Sequence, residues 1–93
     1  MREKEKRVVS IFKVLGSPTR FKIIKLLQKD EMCTSKIAEN LGKDRSTISR
    51  HLKNLMNLDI IRYVTRDKSV FYRLKKDSVL NLIKYAEKIF GRE

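Results

Sequence analysis

Residues 34–58 have the sequence TSKIAENLGKDRSTISRHLKNLMNL, and this stretch decides the fold. Apolar side chains recur at helical spacing in both of its halves, at Ile37, Ala38, Leu41, Ile48, Leu52 and Leu55. Between the halves, Gly42 is expected to take the positive φ that a sharp turn needs, and Asp44 is a favourable N-cap for the helix that follows. The pattern predicts two short helices joined by a tight turn, which is a helix-turn-helix over residues 34–58.

The sequence on either side of this motif predicts three more helices and a hairpin. The helices cover roughly 3–15, 18–29 and 78–90, and two segments rich in β-branched and aromatic residues form strands at 60–65 and 70–75. Gly16, Ser17 and Pro18 form a stop-and-start signal between the first two helices, and residues 66–69 form the tip of the hairpin. The predicted order is α-α-α-α-β-β-α in a single domain over 1–93. The fold class is therefore mainly α with a small β-hairpin, a winged helix-turn-helix.

Helical spacing also predicts which residues face the core and which ones cap the helices. In the second helix, Phe21, Ile24 and Leu27 are expected to point inward. Thr34 or Ser35 is expected to be the N-cap of the third helix, since hydroxyl side chains accept hydrogen bonds from the first free amides of a helix.

The chain is strongly basic, and its charge is unevenly distributed. It has 23 Lys and Arg residues against 11 Asp and Glu residues, a formal net charge of +12, and its pI is about 10.1. Residues 41–76 carry a net charge of +7, whereas the charges of residues 77–93 cancel. A basic chain favours a polyanionic partner, either nucleic acid or an anionic membrane surface. The concentration of charge in the middle segment favours phosphate contacts there.

The apolar runs of the sequence are too short for a transmembrane helix. They reach two or three residues, as at Ile23-Ile24, and the charged start MREKEKR lacks the apolar region of a signal peptide. We therefore expect an intracellular, cytoplasmic protein without a membrane partner.

Cys33 is the single cysteine of the sequence, so no disulfide can form within one chain. It is either a free thiol or one half of an intersubunit disulfide, and a Cys33–Cys33 bridge needs Cα atoms within about 7 Å. The high Lys and Ile content with a single Gln is typical of hyperthermophiles, in which intracellular disulfides do occur. An equally weighted alternative is that Cys33 serves only as a small apolar residue packed at a helix junction.

Three segments of the chain resemble the ArsR/SmtB-type winged-helix repressors. The resemblance runs from LGSPTRFKIIKLL (15–27) through IAENLGKDRSTISRHLKNL (37–55) to IIRYVTRDKSVFYRL (60–74), a span that covers most of the chain. The most specific piece is STISRHLKNL, because this family often has Ser-x-x-Ser-x-His-Leu at the start of its recognition helix. The resemblance implies a winged-helix transcription regulator that binds double-stranded DNA as a homodimer. Small winged-helix proteins of archaea and archaeal viruses have the same character, and a viral chain would act in the host cytoplasm.

The sequence departs from the metal-sensing members of this family. Their cysteine pair lies in a Glu-Leu-Cys-x-Cys pattern, of which Glu31-Met32-Cys33 is present here while Ser35 replaces the second cysteine. The last helix offers Asn81 and Lys84 where other members place His and acidic ligands. We therefore expect no metal site, no metal sensing and no cofactor. Asp59 stands where the family usually has a glycine after the recognition helix.

The polar face of the predicted recognition helix carries cations and hydroxyls that can contact DNA. With Ile48 facing the core, the residues expected to contact DNA on this helix are Arg45, Ser46, Thr47, Ser49, Arg50 and Lys53. The first three and Arg50 are expected at or near bases, and Ser49 and Lys53 at phosphates. The alternative interpretation is an ordinary solvated helix face. His51 lies nearer the core side, where a structural hydrogen bond is favoured over a base contact.

Cations on the hairpin extend the predicted DNA surface. The tip, with Arg66 and Lys68, is expected to reach the minor groove of DNA or flanking phosphates. Arg62 and Arg73 are expected to contact the sugar-phosphate backbone of the DNA. Phosphate contacts of this kind contribute affinity without sequence information.

A homodimer is predicted from the first and last helices, about 3–15 and 78–90. The last helix has no net charge, and Phe12, Tyr85, Ile89 and Phe90 are surplus to the core of one 93-residue chain. Such a dimer would bind a pseudo-palindrome with half-sites about 34–36 Å apart. The alternative function is a winged-helix module that binds RNA or a protein partner, with non-specific affinity for nucleic acid. An enzyme is not expected, because the sequence has no Gly-rich phosphate loop and no nucleophile beside a histidine.

Overall fold

The computed structural model describes residues 1–75 and 77–91, which form five helices and one hairpin. In chain order these are α1 (Glu3–Leu15), α2 (Pro18–Lys29), α3 (Thr34–Leu41), α4 (Arg45–Asn57), β1 (Ile61–Arg66), β2 (Ser69–Leu74) and α5 (Ser78–Lys88). The predicted order α-α-α-α-β-β-α is confirmed, and the fold is a winged helix-turn-helix. None of these helices is long and apolar enough to cross a bilayer.

The core lies where α2, α3 and α4 meet the start of the hairpin and one side of α5. Its buried side chains are Ile23, Ile24, Leu27, Ile37, Ala38, Ile48, Leu52, Leu55, Ile60, Ile61, Val79 and Ile83. Helix α1 contributes no buried residue, although Val14 and Leu15 pack against the edge of the core. The first helix therefore lies on the outside of the domain, where its apolar side chains remain available for another contact.

The inward position predicted for Phe21 is wrong. Ile23, Ile24 and Leu27 are the buried residues of α2, whereas Phe21 is 38% exposed. A helix turns about 100° per residue, so Phe21 lies about 160° from Ile23 and about 60° from Ile24, outside the arc that Ile23, Ile24 and Leu27 bury. Its ring instead lines a groove beside α1 and α5.

The N-cap predicted for α3 is also wrong, because Cys33 holds that position and makes no side-chain capping hydrogen bond. The residue before it explains the early start of the helix. Met32 exchanges two backbone hydrogen bonds with Tyr72 of β2, with N···O distances of 3.0 and 2.8 Å. The chain is thereby held extended at Met32, and α3 begins as soon as the bridge ends.

The hairpin has a two-residue turn, so its tip is shorter than the predicted 66–69. Its register pairs Arg66 with Ser69, and both residues between them, Asp67 and Lys68, have positive φ angles of 49° and 68°. Positive φ at both central residues is the type I′ geometry that matches the twist of the two strands.

Left-handed residues end both helices of the helix-turn-helix. Gly42 has φ 64° after α3, as predicted, and Asp59 has φ 61° after α4. Asp59 thus takes a left-handed conformation at the position where ArsR/SmtB-type repressors usually have glycine. Lys75 Nζ lies 2.8 Å from the Asp59 carboxylate. The turn at Gly42 sets the direction of α4 relative to α3, and the turn at Asp59 sets the direction of the hairpin relative to α4.

Candidate nucleic-acid interface

Helix α4 separates its residues cleanly into a core side and an outer side. Ile48, Leu52 and Leu55 are completely buried. Six of the predicted DNA-contacting residues lie on the rest of its surface, where five are exposed and Thr47 is half-buried. We call this set the recognition face: Arg45, Ser46, Thr47, Ser49, Arg50 and Lys53.

Asp44 organises the hydroxyls at the start of the recognition face. The Ser46 hydroxyl donates a hydrogen bond of 2.8 Å to Asp44 Oδ2. Hydrogen bonds from the side chain of Thr47 and then that of Ser46 hold the pKa of Asp44 below its ordinary value of 3.8. A serine has one hydroxyl proton, so a Ser46 that donates to Asp44 can only accept elsewhere. The donors that suit it in the major groove are the amino groups of adenine and cytosine.

The arginines of the hairpin share one face, but carboxylates lie beside two of them. Arg62, Arg66 and Arg73 lie on the same side of the two strands, since Arg62 pairs in register with Arg73. Arg66 forms an ion pair with Glu31, and its guanidinium carbon lies 5.0 Å from the centre of the Phe71 ring. Glu31 precedes α3 and is 35 positions from Arg66 in the chain, so sequence patterns do not predict this pairing.

Arg73 lines a polar pocket that also contains three acidic residues. The pocket has a volume of about 260 Å³, and Asp30, Glu31 and Asp77 lie on its wall together with Arg73. In contrast, Arg62 and Lys68 are exposed and form no ion pair within residues 1–75 and 77–91. The hairpin therefore offers these two cations to a phosphate more readily than it offers Arg66 or Arg73.

His51 is half-buried at the edge of the core and is hydrogen-bonded there. Its Nδ1 lies 3.1 Å from Nη1 of Arg20. A guanidinium can only donate, so Nδ1 is the acceptor and the ring proton is on Nε2. Burial, followed by the positive charges of Arg20, Arg50 and Lys43, holds the pKa of His51 below its ordinary value of 6.5. Sequence spacing does not predict this contact, because Arg20 and His51 are 31 positions apart in the chain.

An apolar groove of about 350 Å³ runs between α1, the start of α2 and α5, on another side of the domain. Its walls include Phe12, Phe21, Leu82, Ala86 and Phe90. We call the large exposed side chains on and beside it the α1/α5 apolar surface: Phe12, Phe21, Tyr85, Ile89 and Phe90. The most exposed are Ile89, at 81%, and Phe90, at 78%.

Cys33 is a free, half-buried thiol at the start of α3. Within the described part of the chain, no three His, Cys, Asp or Glu side chains come together as a group that could hold a metal ion.

Comparisons with known proteins agree with this architecture. The family model described as "Bacterial regulatory protein, arsR family" matches residues 17–63. The uncharacterized HTH-type transcriptional regulator MJ1325 of Methanocaldococcus jannaschii is 36% identical over 88 residues, which are 94% of this chain and 99% of the relative. The cadmium resistance transcriptional regulatory protein CadC homolog of Staphylococcus aureus is 35% identical over 80 residues, covering 85% of this chain but only 66% of the relative.

A solved structure with the same fold comes from Mycobacterium bovis. It is the homodimeric winged helix-turn-helix DNA-binding domain of Mb0332, a possible ArsR-family transcriptional regulator. Its TM-score to this chain is 0.82 at 20% sequence identity, and the match covers 96% of this chain and 86% of the other.

The pKa of His51 should lie below 6.5, and removal of the Arg20 charge should raise it. Since burial is the larger cause, Arg20→Gln should shift the pKa only part of the way towards 6.5. The measurement is an NMR pH titration of the ring, and His51 is the single histidine of the chain. Arg62→Gln on the hairpin is the control and should leave the pKa unchanged. A wild-type pKa at or above 6.5 would contradict this account.

The same shift predicts how stability depends on pH. The unfolded chain takes up a proton at His51 at a higher pH than the folded chain does. As the pH falls below about 6.5 towards the folded pKa, stability should therefore decrease. Denaturant unfolding of the wild type and His51→Asn over this range measures the effect, which the variant should lack.

Proposed function

Because this chain belongs to the arsR family of bacterial regulatory proteins, we propose that it binds specific sequences of double-stranded DNA as a homodimer, without metal sensing. The family assignment makes the chain the DNA-binding domain of a transcription regulator, and not an enzyme. The specific sequence, the dimer and the independence from metal are the parts that we propose.

The observation that carries the proposal is the recognition face of α4. Its opposite side is fully buried, so the exposed cations and hydroxyls are held on a rigid element. Arg50 and Arg45 can each donate two hydrogen bonds to N7 and O6 of a guanine. Ser46 accepts from adenine or cytosine because its proton is given to Asp44. Thr47 completes the set that we assign to bases, since it also lies in the first turn of the helix, where base contacts concentrate.

Phosphate contacts are assigned to the residues around this set. Ser49 and Lys53 lie further along α4, and Arg62 and Lys68 are the exposed cations of the hairpin. Arg66 and Arg73 belong to the same surface, but nearby carboxylates lower the positive potential that they present. We therefore assign them a smaller share of the binding energy.

The α1/α5 apolar surface supports the homodimer. Contiguous exposed apolar patches of this kind mark interaction sites in soluble proteins. Phe12, Ile89 and Phe90 are each more than half exposed in the single chain, and a two-fold partner would remove them from water. The homodimeric Mb0332 domain gives independent support, because its fold covers nearly the whole chain. The predicted Cys33–Cys33 bridge stays a prediction, since Cys33 is not part of the apolar surface.

The proposal that metal is not sensed rests on the ligands that the chain provides. Cys33 has Ser35 in place of a second cysteine, and Nδ1 of His51 is engaged by Arg20. A tetrahedral structural site takes four ligands from Cys, His, Asp and Glu, and within the described part of the chain no three such side chains lie together. The cadmium resistance in the name of the CadC relative is accordingly not transferred to this chain.

Selection on random duplex DNA should enrich one pseudo-palindromic sequence. Arg50→Ala should weaken binding to it by about 1–3 kcal/mol and relax the preference at one base pair of each half-site. Lys53→Ala should weaken binding to all sequences alike and reduce the salt slope by about one. Asn57→Ala, at the exposed end of α4, is the matched control and should bind like the wild type.

Two outcomes of the selection would contradict the proposal. If Arg50→Ala retained the wild-type affinity and preference, the recognition face would be assigned wrongly. If the wild type enriched no DNA sequence, the alternative of a module that binds RNA or a protein would replace the proposal.

Sedimentation should give a dimer at micromolar concentration. Phe90→Glu should shift the equilibrium towards monomer, because it would bury an unpaired carboxylate in the interface. Val70→Glu is the control, since Val70 is also an exposed apolar residue, at 41%, but lies on the hairpin. A monomeric wild type would exclude the proposed dimer.

A further inference from the structure

We propose that Arg20 and His51 are positioning residues, which hold the recognition helix α4 at a fixed orientation to helix α1 and thereby set the spacing of the two DNA half-sites. This inference rests on the proposed function, because it concerns two recognition helices joined through a dimer surface that includes α1.

The first part of the connection is a cap on the C-terminal end of α1. Arg20 Nε donates to the Val14 carbonyl at 2.8 Å, and Nη2 donates to the Lys13 carbonyl at 3.3 Å. The last carbonyls of a helix have no partner within the helix and lie at the negative end of its dipole. The guanidinium therefore stabilises the end of α1 by hydrogen bonds to its carbonyls and by its positive charge.

The second part reaches the middle of α4. The remaining terminal nitrogen, Nη1, donates to His51 Nδ1 at 3.1 Å. The three nitrogens belong to one planar, rigid group, so their directions cannot change independently. Arg20 is itself fixed in the first turn of α2, where its backbone amide donates to Ser17 Oγ at 3.3 Å. One side chain thus connects α1, α2 and α4.

The proposed dimer makes this connection relevant to DNA spacing. Helix α1 lies outside the core and carries Phe12 of the apolar surface, so a partner chain docked on that surface would help to define its position. Any change in the position of α4 relative to α1 would change the distance between the recognition helices of the two chains. Successive base pairs are about 3.4 Å apart, and a shift of that size changes the preferred spacing by one base pair.

The variants separate the hydrogen bond from the bulk of the side chain. His51→Asn keeps an acceptor on the atom bonded to Cγ, the position of Nδ1, and asparagine has a helix propensity close to that of histidine. His51→Leu removes the acceptor and keeps an apolar side chain. Arg20→Gln removes the planar fork, and it provides a second route to the same defect if His51→Leu does not fold.

The experiment compares affinities for operators whose half-site spacing is the selected one or differs from it by one base pair. Wild type and His51→Asn should keep the spacing preference. In His51→Leu and Arg20→Gln, the ratio between the best and the altered spacing should fall by about fivefold or more, the lower end of ordinary coupling between sites. Thermal unfolding of each variant is measured in parallel.

A second measurement uses the dimer without DNA. Spin labels at Asn57→Cys, in a Cys33→Ser background, report the distance between the two α4 helices. The distance distribution should be narrow in the wild type and should broaden in His51→Leu, while His51→Asn should resemble the wild type.

The outcomes distinguish this inference from the function on which it rests. A folded His51→Leu that keeps both the spacing preference and the narrow distance distribution would overturn the inference alone. An affinity loss that is equal at all spacings and follows the loss of stability would also overturn it, because the connection would then be purely structural. A wild type that is monomeric or enriches no sequence would refute the proposed function and the inference with it.

Discussion

The burial of one side of α4 is the constraint on which the rest of the structure depends. Ile48, Leu52 and Leu55 are completely inaccessible to solvent, and each such side chain contributes about 1.5–3 kcal/mol by leaving water. With that side fixed, the cations and hydroxyls of α4 have to face outward. The same core fixes the neighbouring elements, since Ile60 and Ile61 pack into it and start the hairpin beside the recognition helix.

The net charge of +12 is not spread evenly over the surface of the protein. The Glu31 carboxylate pairs with Arg66, and Asp30 and Asp77 lie around Arg73, so part of the hairpin is close to neutral. Arg45, Arg50 and Lys53 on α4 remain exposed. Arg45 and Arg50 form no ion pair within residues 1–75 and 77–91, so more of their positive charge is available than that of Arg66 or Arg73. This supports their assignment to base contacts, which carry the sequence information.

The parts of the fold that depend on local signals could be predicted from the sequence. The Gly16-Ser17-Pro18 stop and start, Gly42 in its left-handed turn and the apolar stripe of α4 are all local, and the structure confirms them. Contacts between distant residues could not be predicted, because periodicity carries no information about polar partners. Arg20 and His51 are 31 positions apart, and the pairing of Met32 with Tyr72 that moved the α3 cap spans 40.

DNA is expected to bind the recognition face of α4 rather than another basic surface. Helix α2 provides the competing surface, because Lys22, Lys25 and Lys29 line an open groove beside Leu41. NMR mapping of amide shifts during titration with the selected duplex compares the two directly. The largest changes should occur at residues 44–53 and at the hairpin tip, with little change along α2. Changes concentrated on the three α2 lysines, with α4 unperturbed, would contradict this expectation.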